Sequence, residues 1–97
     1  MTEETSSRLH ATIAGRVQGV SFRYFVMEQA DKLNLRGWVR NRWNGTVEVT
    51  AEGAHQDLEL LLAALREGPP MAVIDNVCYD WLAATGEFIS FDVVSTI

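Results

Sequence analysis

Hydrophobic and polar positions alternate along residues 8–14, RLHATIA, with Leu9, Ala11 and Ile13 on one side and Arg8, His10 and Thr12 on the other. A period of two marks a half-buried strand. Gly15 to Ser21 carries two glycines and reads as a loop. The period then changes. Phe22, Phe25, Val26, Gln29/Ala30 and Leu33 recur at steps of three and four, the single stripe of a helix. Ser21 stands at its N-cap position, and Asn34 can end it in a left-handed conformation. Leu35 to Asn41 predicts a second strand. Thr46 to Glu52 predicts a third, in which Val47, Val49 and Ala51 alternate with Thr46, Glu48, Thr50 and Glu52. Asn44-Gly45 between them is a hairpin signal, and Gly53 ends the third strand. Gln56 to Glu67 predicts a second helix with Leu58, Leu61, Leu62 and Leu65 inward and Asp57, Glu59, Arg66 and Glu67 outward. Gly68-Pro69-Pro70 stops it. Ala72 to Trp81 predicts a fourth strand with Val73, Val77, Tyr79 and Trp81 on one side; Gly86 marks a turn, and Phe88 to Val94 a last short strand.

The order is therefore β-α-β-β-α-β plus a short C-terminal strand. One antiparallel sheet with two helices on one face buries every stripe at once. That is the α+β class and the ferredoxin-like split βαβ sandwich. With 97 residues, 47% hydrophobic and 22% charged, the chain fits one folded domain. Residues 1–7 are predicted as a disordered N-terminal tail and 8–97 as the domain. No apolar run approaches the roughly 20 residues of a membrane span, and the polar, acidic N-terminus is no signal peptide. Cys78 is the single cysteine, so no intrachain disulfide can form. That suggests a reducing, cytoplasmic setting, with Cys78 a small buried strand residue. The pattern leaves no exposed apolar stripe over, which predicts a monomer.

Charge narrows the function. The net charge of −5 is split: residues 1–43 hold seven basic and four acidic residues, residues 44–97 one basic and nine acidic. An anion site therefore belongs in the first half. The overall acidity opposes broad attraction to nucleic acid. So do Glu48 and Glu52, expected on a solvated sheet face where an RNA-reading sheet would be basic and aromatic.

The stretch 15–23, GRVQGVSFR, leaves a strand and enters a helix. Gly15 allows close passage past a neighbouring strand, and Gly19 allows a positive φ. Successive N–H groups in such a turn form an anion nest, and the helix N-terminus adds unpaired donors. Arg23 sits in the first helical turn, where a cation is mildly unfavourable, unless its guanidinium meets phosphate oxygens. No Gly-Lys-Ser/Thr follows, so this is no Walker loop. Asn41 ends the second strand just before the hairpin, with an amide that both donates and accepts. On pattern alone, Arg23 and Asn41 also fit an ordinary surface cation and a strand-end polar residue.

Two long runs decide between these. IAGRVQGVSFR (13–23) resembles the signature loop of the acylphosphatase family, and GWVRNRWNGTVEVTAEG (37–53) resembles its second signature, in matching order and spacing. GPP at 68–70 followed by Ala72 and Val73 is similar to the family's turn into its fourth strand. The resemblance covers residues 8–94. It implies the same ferredoxin-like fold and hydrolysis of small acyl phosphates to a carboxylate and phosphate, with no metal and no cofactor. It further implies that the backbone amides of Arg16, Val17, Gln18, Gly19, Val20, Ser21 and Phe22 cradle the phosphoryl oxygens, Arg23 binds the phosphoryl group and Asn41 orients the attacking water. Arg42 and Trp43 read as exposed turn residues, Trp38 and Trp81 as core or rim packing, His10 as an exposed strand residue and His55 as a loop or helix-start residue. Few side chains in the motifs can read the acyl part, which predicts broad tolerance toward it.

Overall fold

The computed structural model describes residues 6–97. Its elements are β1 (Ser6–Arg16), α1 (Phe22–Lys32), β2 (Arg36–Asn41), β3 (Val47–Ala54), α2 (His55–Glu67), β4 (Val73–Ala83) and β5 (Phe91–Val93). They form one five-stranded sheet in the order β4-β1-β3-β2-β5. Strands β1, β2, β3 and β4 pair antiparallel; β5 adds one parallel pairing beside β2. The ferredoxin-like α+β arrangement expected from the hydrophobic pattern is thus present, with both helices on one face. Of the predicted tail, residues 1–5 lie outside the described residues. Ser6 and Ser7 belong to β1, opposite Ala54 and Gly53.

The core lies between that face and the helices. Leu9, Ala11 and Ile13 of β1 and Val47, Val49 and Ala51 of β3 meet Phe22, Val26 and Ala30 of α1 and Leu58, Leu61 and Leu65 of α2, all buried. Helix α1 ends as its sequence suggests. Asn34 is left-handed at φ 56°, Leu35 N–H donates to the Ala30 carbonyl at 2.9 Å, and Asn34 N–H to Asp31 at 3.2 Å. This paired pattern satisfies carbonyls that the last turn would leave open. Strand β3 does not stop at Gly53 but runs through Ala54 directly into α2.

The other sheet face departs from expectation. β3 is the middle strand, so long side chains from both neighbours lie over its polar side. Glu48 and Glu52, expected in water, are only 7% and 6% exposed. His10, expected exposed, lies with Nε2 2.6 Å from Glu48. Arg40 and Arg42 also bind Glu48, at 2.7 and 3.0 Å, so Arg42 is not a free turn residue. Glu52 accepts from Arg8 at 2.7 Å and from the Thr85 and Gly86 amides at 2.9 and 3.0 Å. Burial pushes the Glu48 carboxyl up, but hydrogen bonds from His10, Arg40 and Arg42 outweigh it and hold the group at about 2. Burial likewise opposes ionisation of Glu52, and the Thr85, Gly86 and Arg8 donors reverse it, leaving the carboxyl below its ordinary value.

The edge strand departs too. Cys78, expected buried, is exposed, because β4 has a neighbour on one side only and position 78 points away from the helices. Val73, Tyr79, Trp81 and Leu82 are also exposed, Tyr79 and Trp81 on the helix side opposite Ala11 and Leu9, Leu82 and Val73 on the other side opposite Arg8 and Arg16. Trp81 packs its ring 4.2 Å from His55, and Trp38 lies under Arg40 at 4.5 Å; both tryptophans are rim residues. No helix among the described residues is long and apolar enough to cross a membrane.

Candidate functional site

At the end of β1 the register with β4 shifts between Ala14 and Gly15. A Cβ on Gly15, at φ 131°, would stand 2.1 Å from the Val73 carbonyl oxygen, so only glycine passes there. The shift directs the chain into the loop 17–21. Gly19 takes φ 73° and Ser21 φ 62°. Ser21 therefore occupies the N-cap position of α1 in a left-handed conformation, and its side chain makes no capping hydrogen bond, contrary to expectation. Among the described residues, no amide from Val17 to Ser21 donates to a backbone carbonyl. The first turn of α1 carries no acidic residue. These amides and the positive end of the helix are thus left open to an anion.

Helix α1 begins beside the end of β2. Val17, Gly19, Ser21, Phe22, Arg23, Tyr24 and Asn41 together line a cleft of about 260 Å³. Arg23 and Asn41, 18 positions apart in the chain, meet here because β2 runs back under α1 and places Asn41 on the helix-side face. Asn41 Oδ1 is buried and has no hydrogen-bond partner among the described residues. An orphaned buried acceptor costs on the order of 1–3 kcal/mol, so a donor entering the cleft would be held firmly.

The three residues Arg16, Gln18 and Val20 do not line this cleft. Arg16 remains in β1 opposite Val73, Gln18 turns its side chain toward the β2–β3 hairpin, and Val20 packs against the core. The hairpin itself is a three-residue loop. Gly45 N–H donates to the Arg42 carbonyl at 3.1 Å, Gly45 takes φ 90°, and Asn44 uses its side chain to accept from Thr46 N–H at 3.1 Å. Trp43 is exposed, as expected of a turn residue. The C-terminal segment straps this region: Val94 N–H donates to Val39 and Trp43 N–H to Ile97.

Place and charge together distinguish Arg23, the arginine that lines this cleft. Three of the seven basic residues of the first half, Arg8, Arg40 and Arg42, are paired across the sheet with Glu52 and Glu48. Among the described residues Arg23 makes no ion pair. It is a partly buried guanidinium at a cleft that also offers open amides, an arrangement suited to a small oxyanion. Tyr24 is the lining residue the sequence reading passed over. It is 60% exposed and follows Arg23 directly, outside the apolar stripe that defined α1. An aromatic on the polar face next to a candidate anion binder was the available signal.

A ferredoxin-like domain with an anion-suited cleft at a strand–loop–helix junction is the class these features define. Comparison with known proteins gives the family. The family model for acylphosphatase matches residues 9–93. The acylphosphatase of Methylococcus capsulatus is 43% identical over 90 residues, covering 93% of this chain and 98% of that one. The acylphosphatase of Salinibacter ruber is 44% identical over 93 residues, covering 96% and 98%. The crystal structure of acylphosphatase from Bacillus subtilis superposes with a TM-score of 0.88 at 36% identity, covering 91% and 98%. The chain belongs to the acylphosphatase family and is an enzyme of that type.

Proposed function

We propose that the chain hydrolyses the carboxyl–phosphate bond of small acyl phosphates, holding the phosphoryl group with the loop amides and Arg23 and orienting the attacking water with Asn41. The observation that carries this reading is the cleft itself. It joins an unpaired guanidinium, the open amides of Val17, Gly19 and Ser21 and a buried Asn41 Oδ1 that lacks a donor. In the reaction, the water oxygen attacks phosphorus, the bond from phosphorus to the acyl oxygen breaks, and the electron pair leaves on the carboxylate. The water's protons go to the phosphate product and to solvent. A carboxylate is a good leaving group, so the protein's task is to fix charge and align water in line with the bond. Amides aimed before reaction do this without reorganisation. Asn41 Oδ1 accepts from the water, which points an oxygen lone pair toward phosphorus. The cleft is built from one chain, so a monomer suffices for activity. We place the enzyme in the cytoplasm, where the lone Cys78 stays reduced.

The test is hydrolysis of benzoyl phosphate with a chelator present, by wild type, Arg23→Ala and Asn41→Ala, each confirmed folded. Rapid wild-type turnover is expected, with kcat lower by about 100-fold or more in each variant, the scale for removing a preorganised donor in Arg23→Ala and for losing alignment of the water in Asn41→Ala. A folded wild type that leaves benzoyl phosphate intact would refute the reaction. Full activity in Asn41→Ala would refute the role given to Asn41.

A further inference from the structure

The cleft is made of two segments distant in sequence. The loop 17–21 leaves β1, whereas the hairpin 42–46 follows Asn41. Their separation decides whether a water held by Asn41 lies in line with a phosphoryl group held by the loop. The loop has few ties of its own, since its amides make no backbone bonds among the described residues.

One side chain spans the two segments. Gln18 Nε2 donates to the Arg42 carbonyl at 2.7 Å and to the Thr46 carbonyl at 3.0 Å. These same carbonyls close the hairpin. Arg42 accepts from Gly45 N–H at 3.1 Å, and Thr46 accepts from Arg42 N–H at 2.8 Å. Each oxygen therefore takes two donors, its full capacity. Both of Gln18's partners are acceptors, so only a group with two donor hydrogens serves. Glutamine is uncharged, reaches the hairpin, and supplies them.

We propose that Gln18 is a positioning residue, whose amide locks the phosphate loop to the β2–β3 hairpin and so sets where Asn41 holds the attacking water relative to the phosphoryl group. The proposal rests on the acyl-phosphate reading above. It assigns the Gln18 side chain a role separate from the backbone donors around it. The loop can still bind phosphate without this lock, because its amides and Arg23 stay on one continuous segment. What is lost is the alignment between that segment and Asn41.

The experiment compares wild type, Gln18→Ala and Gln18→Glu on benzoyl phosphate, each confirmed folded by circular dichroism, with inorganic phosphate as a competitive probe. In Gln18→Ala, kcat is expected to fall about tenfold or more, toward the roughly 100-fold that a 1 Å misplacement can cost. The inhibition constant for phosphate is expected to stay within about threefold of wild type, because ground-state binding is kept. Gln18→Glu turns a carboxylate toward two carbonyl oxygens at neutral pH, which repels the hairpin. Lowering the pH from about 7 to about 5 protonates that carboxyl and restores a donor, so kcat relative to wild type at the same pH should rise. A purely structural role gives no such recovery. Should Gln18→Ala fail to fold, the pH recovery in Gln18→Glu decides alone. Variants within about twofold of wild type in kcat, or phosphate affinity falling in step with kcat, would overturn the proposal. An inactive but folded wild type sinks the reaction reading and this one with it, whereas an active wild type with unaffected variants sinks this one only.

Discussion

Acid should weaken this fold through Glu48. Its carboxylate is nearly fully buried and bound by His10, Arg40 and Arg42 at 2.6, 2.7 and 3.0 Å. From an ordinary 4.5, these donors lower it to about 2 in the folded protein. A group depressed on folding stabilises the native state above its unfolded pKa, and that stabilisation is lost as pH falls toward the folded pKa. The window is therefore from about 4.5 down to about 2. At about 1.4 kcal/mol for each pH unit, the ceiling is about 3 kcal/mol, a sizeable share of the stability of a small domain. Glu52 and other carboxylates act in the same direction, so the wild type alone cannot isolate Glu48. The comparison with Glu48→Gln can. The variant keeps size and polarity but has no charge to titrate. Urea unfolding followed by tryptophan fluorescence, from about pH 7 to about pH 3, is the assay. The variant should be less stable near neutrality by about 2–3 kcal/mol, and this gap should narrow as the wild type is acidified. A gap that stays constant with pH would refute the argument, because the stabilisation would then not depend on the Glu48 charge.

Two glycines of the loop should respond to alanine for different reasons. Gly15→Ala sets a Cβ 2.1 Å from the Val73 carbonyl and should cost over about 3 kcal/mol in urea unfolding or prevent folding. Gly19→Ala meets nothing within 4 Å and bears only its φ of 73°, so about 1 kcal/mol is expected, a smaller loss that the same assay resolves. Tyr24 lines the cleft with an exposed ring and should contact an aromatic acyl group. Tyr24→Ala should lower kcat/KM for benzoyl phosphate relative to acetyl phosphate about three- to tenfold, while Tyr24→Phe preserves the ratio. An unchanged ratio in Tyr24→Ala would show that Tyr24 does not read the acyl part, in line with the expectation that few side chains do.

The alternation of residues assigned the faces of β1 and β3 correctly but not the start of β4. There the register shift against β1 puts Ile74 against the core, so Val73 does not share a side with Val77, Tyr79 and Trp81. Leu9, Ala11 and Ile13, like Val47, Val49 and Ala51, lie under the helices. What alternation cannot supply is how deeply the second face of a strand is covered. Thr46 to Glu52 reads as polar outward, and in an edge strand it would be wet. β3 instead has β1 and β2 beside it, and Arg8, His10, Arg40 and Arg42 reach across its outer side. The same reasoning run the other way explains Cys78, whose strand has an open edge. Residue type suggested burial, and position in the sheet overrode it. The site was legible where backbone conformation restricts residue choice, as at Gly15 and Gly19. It was less so where long side chains turn away from their own segment, as Gln18 does.

The charge split along the chain looks different once the strands are paired. Seven basic residues in the first half suggested an anion site there. Arg8, Arg40 and Arg42 are instead bound to the carboxylates of β3 on the face away from the helices. They hold the sheet's open side together, and their charge is spent before any ligand arrives. Arg23 escapes this because it begins α1, on the opposite face, with the sheet between it and Glu48. The fold thus separates two uses of arginine by layer: paired across the open face for stability, unpaired at the cleft for an anion. Arg42 belongs to the first use despite its place beside Asn41. Its guanidinium goes to Glu48 and only its backbone carbonyl faces the loop, where Gln18 grips it. Adjacent residues at the end of β2 therefore serve different layers, because successive side chains on a strand point to opposite faces.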